Sequence, residues 1–518
     1  MQLASTHHRS LALRIAVIVL AATALLSIGA QRSSADIANP KLSAGVYSTC
    51  AIYSNNRVYC WGSNSSNQLG LGSSTKLSYT VRPNPVKGVP AQPVGISNGY
   101  SSACSILITG GISCWGSNPA GALGPKSLGK SAKSAQPSAS LISPWVAPSN
   151  QSTGSQHSCF RDNNATVKCL GTNNYGQLGN GSNTPSATPT QVAVLTGASA
   201  ATRASQVVSG ANHSCALLDN RNVKCWGVNN VRQLGTPTNS VAWVNSPVDV
   251  PALTNNVTQL ASKADHTCAI HANGDVSCWG ADSYGQLGDG TVAPFKGAVK
   301  VAGLGADARQ VSTGVAHTCS LIKGGGVKCW GSNEFGQLGN GTATTSSKPV
   351  SVIGLPRPAN EISAGGYHSC ARLDNGSIYC WGRGTKGQLG NDKKASSLTA
   401  APVVEVAGPH YSGVKLHKTS GHSNFSATLV VRPPQPGSIS KRCKTRASVT
   451  VTVVQDGVTH TKKIHKKLRS SGSSKCVARL SYRSISKSVS PATLTIKSSY
   501  KGNSSLPGGQ LTQTYLNQ

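Results

Sequence analysis

Acidic residues are scarce in this chain. Fifteen Asp and Glu stand against 48 Lys and Arg in 518 residues, a formal net charge of +33. Glutamate is limited to Glu334, Glu361 and Glu405, and the acids are scattered rather than gathered as a close pair in sequence. The His-Glu-x-x-His, Gly-x-Ser-x-Gly and phosphate-loop patterns are missing as well. That removes the usual sequence grounds for a metalloprotease, a serine hydrolase or a nucleotide hydrolase. Helix signals are absent beyond the N-terminal segment, and one apolar run, Ile15 to Ile28, is all that approaches membrane length. It is too short to span a bilayer comfortably. With Arg9 and Arg14 before or within it and small residues after it, it reads as a signal peptide over residues 1–35, an uncleaved anchor being the alternative. The expectation is a secreted or envelope-associated protein that is not an enzyme and carries no cofactor or metal.

Cysteine is plentiful and regular. Seven pairs have nine residues between partners: Cys50 with Cys60, Cys104 with Cys114, Cys159 with Cys169, Cys215 with Cys225, Cys268 with Cys278, Cys319 with Cys329, and Cys370 with Cys380. Successive first cysteines lie 54, 55, 56, 53, 51 and 51 residues apart, the period of a repeat architecture. Around each pair, short alternating apolar runs are punctuated by Asn and Gly, the pattern of strands and tight turns. A hairpin centred between the cysteines has its midpoint at Asn55, Thr109, Asn164, Asn220, Asn273, Gly324 or Asn375, where Asn and Gly tolerate positive φ. Residues opposed in such a hairpin lie within disulfide range, so each pair is expected to bridge one hairpin. The alternative, a zinc site, brings cysteines closer together in sequence. His157, His213, His266, His317 and His368 stand two residues before the first cysteine, but Ser48 and Ser102 replace them in the first two copies. Hydrogen bonding at a strand start is their expected role.

Each cysteine pair leads into Trp-Gly and then Gly-Gln-Leu-Gly, as in Trp279-Gly280 with Gly285-Gln-Leu-Gly288, and Trp330-Gly331 with Gly336-Gln-Leu-Gly339. Departures are local: Leu170 replaces Trp in copy three, copy two has Gly121-Ala-Leu-Gly124, and copy four has Arg232 before Gln233. This pattern, spanning about Lys41 to Leu429, is similar to the repeat of the regulator of chromosome condensation family. The resemblance implies an all-β seven-bladed β-propeller over residues 36–429, with the motif tryptophans between blades. An eighth half-copy, with Phe425 where a cysteine would stand, is expected to help close the ring. The family supplies two precedents: nucleotide exchange on a small GTPase with chromatin binding, and inhibition of secreted β-lactamases. Signal peptide and disulfides argue against the first, so the expectation is no small GTPase partner and no nucleic acid.

Residues 430–440 are Pro-rich, a stiff linker. Alternating runs over 441–518 suggest a small β-sandwich, and its ending resembles bacterial immunoglobulin-like modules. Cys443 and Cys476 are left to bridge it. From Arg432 onward, 16 Lys or Arg face a single acid, Asp456. Lys462, Lys463, Lys466, Lys467 and Arg469 make a candidate polyanion contact, for anionic cell-wall polymer, lipid headgroups or extracellular nucleic acid; a merely solubilising surface is the alternative. Trp145 and Trp243, the two tryptophans outside the repeat motif, are candidate partner contacts unless buried between blades. The functional expectation is a cell-surface scaffold for an extracellular protein or polymer. An inhibitor of a secreted enzyme, or an enzyme acting on cell-wall glycan, are the alternatives.

Overall fold

The computed structural model describes residues 41–404 except 73–76, 90–91, 109–110, 125–130, 138–149, 163, 237–240 and 254–255, and strands between 409 and 516. Seven four-stranded antiparallel sheets, each built from consecutive strands, form the blades of a propeller. The innermost strands are Leu42–Ala44, Pro93–Asn98, Asn150–Thr153, Ala204–Ser209, Val257–Lys263, Ala308–Thr313 and Ala359–Ala364. Each packs against the next, and Leu42–Ala44 packs against Ala359–Ala364, so the ring is closed.

Second and third strands of every blade form the expected hairpin, with the cysteines directly opposed, as in Cys268 opposite Cys278. All seven expected disulfides are present. Cys50 is bonded to Cys60, Cys104 to Cys114, Cys159 to Cys169 and Cys215 to Cys225. In the last three blades Cys268 is bonded to Cys278, Cys319 to Cys329 and Cys370 to Cys380. Their Cα separations run from 4.0 Å at Cys104 and Cys114 to 4.2 Å at Cys159 and Cys169. By the chain-entropy model a loop of this length is worth about 2 to 3 kcal/mol. In blade six the expected midpoint, Gly324, itself holds φ at 84°, whereas in five other blades the turn chemistry differs from the expectation by one residue. Asn220 accepts from the Asn222 amide at 3.1 Å and Asn375 from the Ser377 amide at 3.1 Å, an Asx turn. The positive φ falls on the following residue, Arg221 (64°) or Gly376 (84°).

The junction between blades explains the repeat motif. Trp61, Trp115, Trp226, Trp279, Trp330 and Trp381 are fully buried, each packed on the preceding blade. Trp279, for example, packs with Cys215, Cys225, Leu234 and Val250. Its indole N–H donates to the carbonyl of Gln233 at 3.0 Å, and Trp330 does the same to Gln286 at 2.9 Å. The loop that presents this carbonyl is folded by an asparagine: Asn333 Oδ1 accepts from the Leu338 amide at 2.9 Å while its Nδ2 donates to the Thr342 carbonyl at 2.9 Å. The last glycine of the motif is obligatory by contact, since a Cβ at Gly288 would lie 2.5 Å from Trp330 Nε1. Two of the three departures from the motif belong to one junction. Leu170 of copy three, in place of Trp, packs against copy two with Cys104, Cys114 and Leu123. Copy two is the copy with Ala122 in place of Gln.

The histidines are a second set of junction contacts. At the start of their strands, His213 Nε2 meets Thr267 Oγ1 of the next blade at 2.9 Å, His317 meets Ser369 at 2.8 Å, and His368 meets Thr49 at 2.7 Å across the seam. Thr318 Oγ1 donates to the Gln286 carbonyl at 2.9 Å, so His266 Nε2–H must donate to Thr318. Burial lowers these groups from the ordinary histidine range, His157 to about 4 and His213, His266, His317 and His368 to about 3.

The seam between blades seven and one carries a charged version of a neutral clamp. At an ordinary junction Gln310 bonds both backbone groups of Ile362, at 3.0 and 2.9 Å. At the seam Glu361 accepts from the Lys41 and Leu42 amides at 2.7 and 2.9 Å, and Arg372 holds its other oxygen at 3.2 Å.

Ring closure corrects the reading of the eighth half-copy. Blade one already has its innermost strand, leaving no place for a late one. Pro409–Thr419 and His422–Val431 instead pair with Lys475–Arg483 and Arg469–Ser471 in a separate four-stranded sheet. Arg446–Gln455, Val458–Lys467, Thr493–Tyr500 and Gly509–Leu516 form another. The last strand of blade seven ends at Pro402, and the next sheet begins at Pro409. Cys443 lies outside the described residues, and its expected bridge to Cys476 with it.

Candidate binding face

Antiparallel blades have two ends, and in a ring these become two faces. On one, the turn between first and second strands meets the long loop after the third. The Arg383 amide donates to the Tyr367 carbonyl at 2.8 Å, Val228 to Asn212 at 2.9 Å and Ser63 to Tyr47 at 2.9 Å. This face gathers aromatic rings and cations. Tyr47 and Tyr367 have ring centroids 6.0 Å apart, and Phe335 meets Tyr367 edge-on at 5.8 Å. The Arg383 guanidinium lies 4.7 Å from the Phe335 centroid and 5.5 Å from that of Tyr367. Farther out, Arg232 lies over Phe295 at 5.5 Å and Lys394 over Tyr79 at 4.4 Å. A guanidinium held over two rings has lost much of its rotamer freedom before any partner arrives, which lowers the cost of binding through it.

Tyr175 and Tyr284 occupy the loop position just before Gly-Gln-Leu-Gly and are 47% and 52% exposed. Trp243 begins the fourth strand of its blade opposite Val228 and is 41% exposed, so burial between blades does not account for it. Tyr100 is half-buried beside this cluster. Burial first, and then Asp265, Tyr367 and Tyr47, push its ionisation above the ordinary tyrosine range, keeping the O–H as a donor. Sequence reasoning missed Tyr47, Tyr367 and Arg383, and also Tyr175, Tyr284 and Phe335. For the last three the available signal was an aromatic recurring just before Gly-Gln-Leu-Gly in copies three, five and six.

The opposite face is built from the asparagine turns and the connections between blades. Arg203 pairs with Asp219 at 3.0 Å and Arg357 with Asp374 at 2.6 Å there. Its exposed large apolar groups among the described residues are single aliphatics, Ile108, Val194 and Ile353. Isolated surface aliphatics need no functional account.

Of the other expected contacts, Trp145 lies outside the described residues. Lys462, Lys463, Lys466 and Lys467 fall on the strand Val458–Lys467, which stands at the edge of its sheet, and Arg469 begins Arg469–Ser471, at the edge of the other. Lysine on an edge strand also discourages pairing with another chain, a structural use that needs no ligand. Among the described residues, no group of three His, Cys, Asp or Glu is placed to hold a metal.

Family models for the regulator of chromosome condensation (RCC1) repeat match residues 41–68, 204–233, 257–286, 308–337 and 360–388, and also 55–105, 169–217, 223–270, 325–372 and 375–410. The chain is 26% identical to the ultraviolet-B receptor UVR8 of Arabidopsis thaliana over 390 residues, 74% of this chain and 86% of that protein. It is 28% identical over 337 residues, 64% of its own length, to the human E3 ubiquitin-protein ligase HERC2, of which it spans 7%. In fold it is similar to human WBSCR16, with a TM-score of 0.60 and 22% identity over 68% of this chain and 94% of that one. Saccharomyces cerevisiae Prp20p, a structure described with its binding to Gsp1p and histones, gives 0.61 and 19% over 76% and 91%. The expectation that no small GTPase is a partner finds no support in these likenesses.

Proposed function

The chain belongs to the regulator of chromosome condensation (RCC1) repeat family, and from that premise we propose that it is a secreted, non-enzymatic binding scaffold that docks a macromolecular partner on its aromatic face. The observation that carries this reading is that Tyr47, Tyr175, Trp243 and Tyr284, all exposed, lie on the same face as the Arg383–Phe335–Tyr367 stack. Tyr, Trp and Arg are the residues that dominate binding energy at protein interfaces. Seven disulfides favour an oxidising compartment. No helix among the described residues is long and apolar enough to cross a membrane. The basic segment after residue 432 would add electrostatic retention on an anionic polymer.

The test is binding of the full chain to purified envelope fractions across a salt series, beside Arg383→Ala, Tyr284→Ala and a chain ending at 404. Loss of binding in the two face variants with the fold intact supports the scaffold. Loss only on truncation and at high salt assigns binding to the basic segment instead. Inhibition of a secreted enzyme is a narrower form of the same reading, recognised by a 1:1 complex with that enzyme in solution.

A further inference from the structure

The innermost strands surround a central channel with a cavity of about 150 Å³. Two positions of the repeat bear on it. Serine stands seven residues before the first cysteine in five copies, as Ser43, Ser97, Ser152, Ser312 and Ser363. Glycine stands five residues before it in six copies, and in the fifth copy that place is taken by Lys263. The glycines are forced by crowding, since a Cβ at Gly45 would lie 2.5 Å from the carbonyl oxygen of Gly99. Blade five makes room for a side chain by one extra pair, Lys263 with His266, and a tight turn with Ala264 at φ 48°.

From blade five the Lys263 side chain crosses the lumen to the seam. Its ammonium donates to the Ala44 carbonyl of blade one, and to the Ala364 carbonyl of blade seven at 3.2 Å. An ammonium has three N–H bonds, so one is left. Lys263 is the one charged group among the described residues lining the cavity, and no carboxylate lines it. Burial without a countercharge lowers the amine from the ordinary lysine range to about 7.

The serines beside it are set to donate. Ser363 Oγ accepts from the Ala44 amide, Ser312 Oγ from the Ala364 amide and Ser43 Oγ from the Asn98 amide, each at 2.9 Å. An oxygen that accepts in this way keeps its own proton to give. Two of these serines directly precede the residues whose carbonyls hold the ammonium. Hydroxyl donors and a cation lacking an anionic partner thus converge on one channel.

We propose that the central channel binds a small oxyanion, held by the Lys263 ammonium and the hydroxyls of Ser43, Ser312 and Ser363. The anion would accept the remaining N–H and the serine protons, and supply the countercharge that the channel lacks. The chemistry suits a carboxylate or a phosphate small enough for the cavity, and does not depend on the aromatic face.

The test is calorimetric titration of the full chain with sodium acetate and, separately, sodium phosphate at constant ionic strength, each repeated with Lys263→Met, Ser312→Ala and Ser363→Ala. The expected result is saturable uptake of one anion per chain by the wild type, with the preferred anion identifying the source. Affinity should fall by roughly tenfold or more in Lys263→Met, the loss of one charge-assisted hydrogen bond, and by less in the serine variants. If Lys263→Met does not fold, the serine variants decide, since their backbone contacts leave the lysine in place. Absence of saturable uptake of both anions overturns the proposal. So does equal uptake by wild type and all variants, or a lysine variant that changes only the melting temperature, which would make Lys263 a strut across the ring.

Discussion

The junctions between blades and the aromatic face are made from the same seven copies, yet they follow opposite rules. At the junctions the same atoms meet repeatedly: an indole N–H on a glutamine carbonyl, a histidine on a hydroxyl, a disulfide beside the next tryptophan. On the face the backbone contacts recur but the side chains vary from copy to copy. The loop position that holds Tyr175, Tyr284 and Phe335 holds Ser66, Ala120, Val231 and Lys386 in the other copies. Repetition here marks what builds the ring, and departure from it marks what the ring presents. Lys263, a break in a column of glycines, falls under the second rule although it lies inside.

The sharpest way to break this contrast is to damage a junction. Trp279→Ala removes a fully buried indole and leaves the Gln233 carbonyl without its donor. It should cost about 3 to 5 kcal/mol of stability, read by denaturant unfolding, and impair binding only as far as the protein unfolds.

Acid should act on the junctions next. The five buried histidines bind protons in the unfolded chain below about pH 6.5, but in the folded protein only near 3 to 4. Because the folded values are lowered, the stability is fully present above the unfolded value. It is withdrawn as pH falls from about 6.5, by at most about 1.4 kcal/mol per pH unit for each histidine. The histidines' contribution to the melting temperature should therefore be flat above pH 7 and fall steeply below pH 6. His368→Gln should flatten that fall by about one histidine's share, and an unchanged profile would remove the histidines from the account.

On the face the prediction reverses. Arg383→Ala should change unfolding free energy by less than about 1 kcal/mol while weakening partner binding by about 2 kcal/mol or more. The smallest effect belongs to the opposite face, where Arg221 holds φ at 64°. Arg221→Gly should raise stability by up to about 1 kcal/mol and leave binding untouched.

The same contrast explains what could be read from the sequence. Cysteine spacing, Trp-Gly and Gln-Leu-Gly recur at near-fixed offsets because each meets an identical neighbour, so hairpins, disulfides and seven blades were legible. Ring closure was not. The alternation in 409–431 announces strands but does not name their partner, and Leu42–Ala44 is too short to advertise that it already fills the inner place of blade one. The charged seam likewise hides in a single exchange, Glu361 where the three preceding copies have Gln206, Gln259 and Gln310. The face was legible only by reading the motif's variable positions, where no period guides the eye and side chains from different blades meet only in the folded ring.

Hydroxyl-radical footprinting of the full chain, free and bound to its envelope fraction, tests the central claim most directly. The account predicts protection of Tyr47, Tyr175, Trp243 and Tyr284, with Ile108, Val194 and Ile353 as reactive as in the free protein. Protection of those three aliphatics with the aromatic face left open would contradict it.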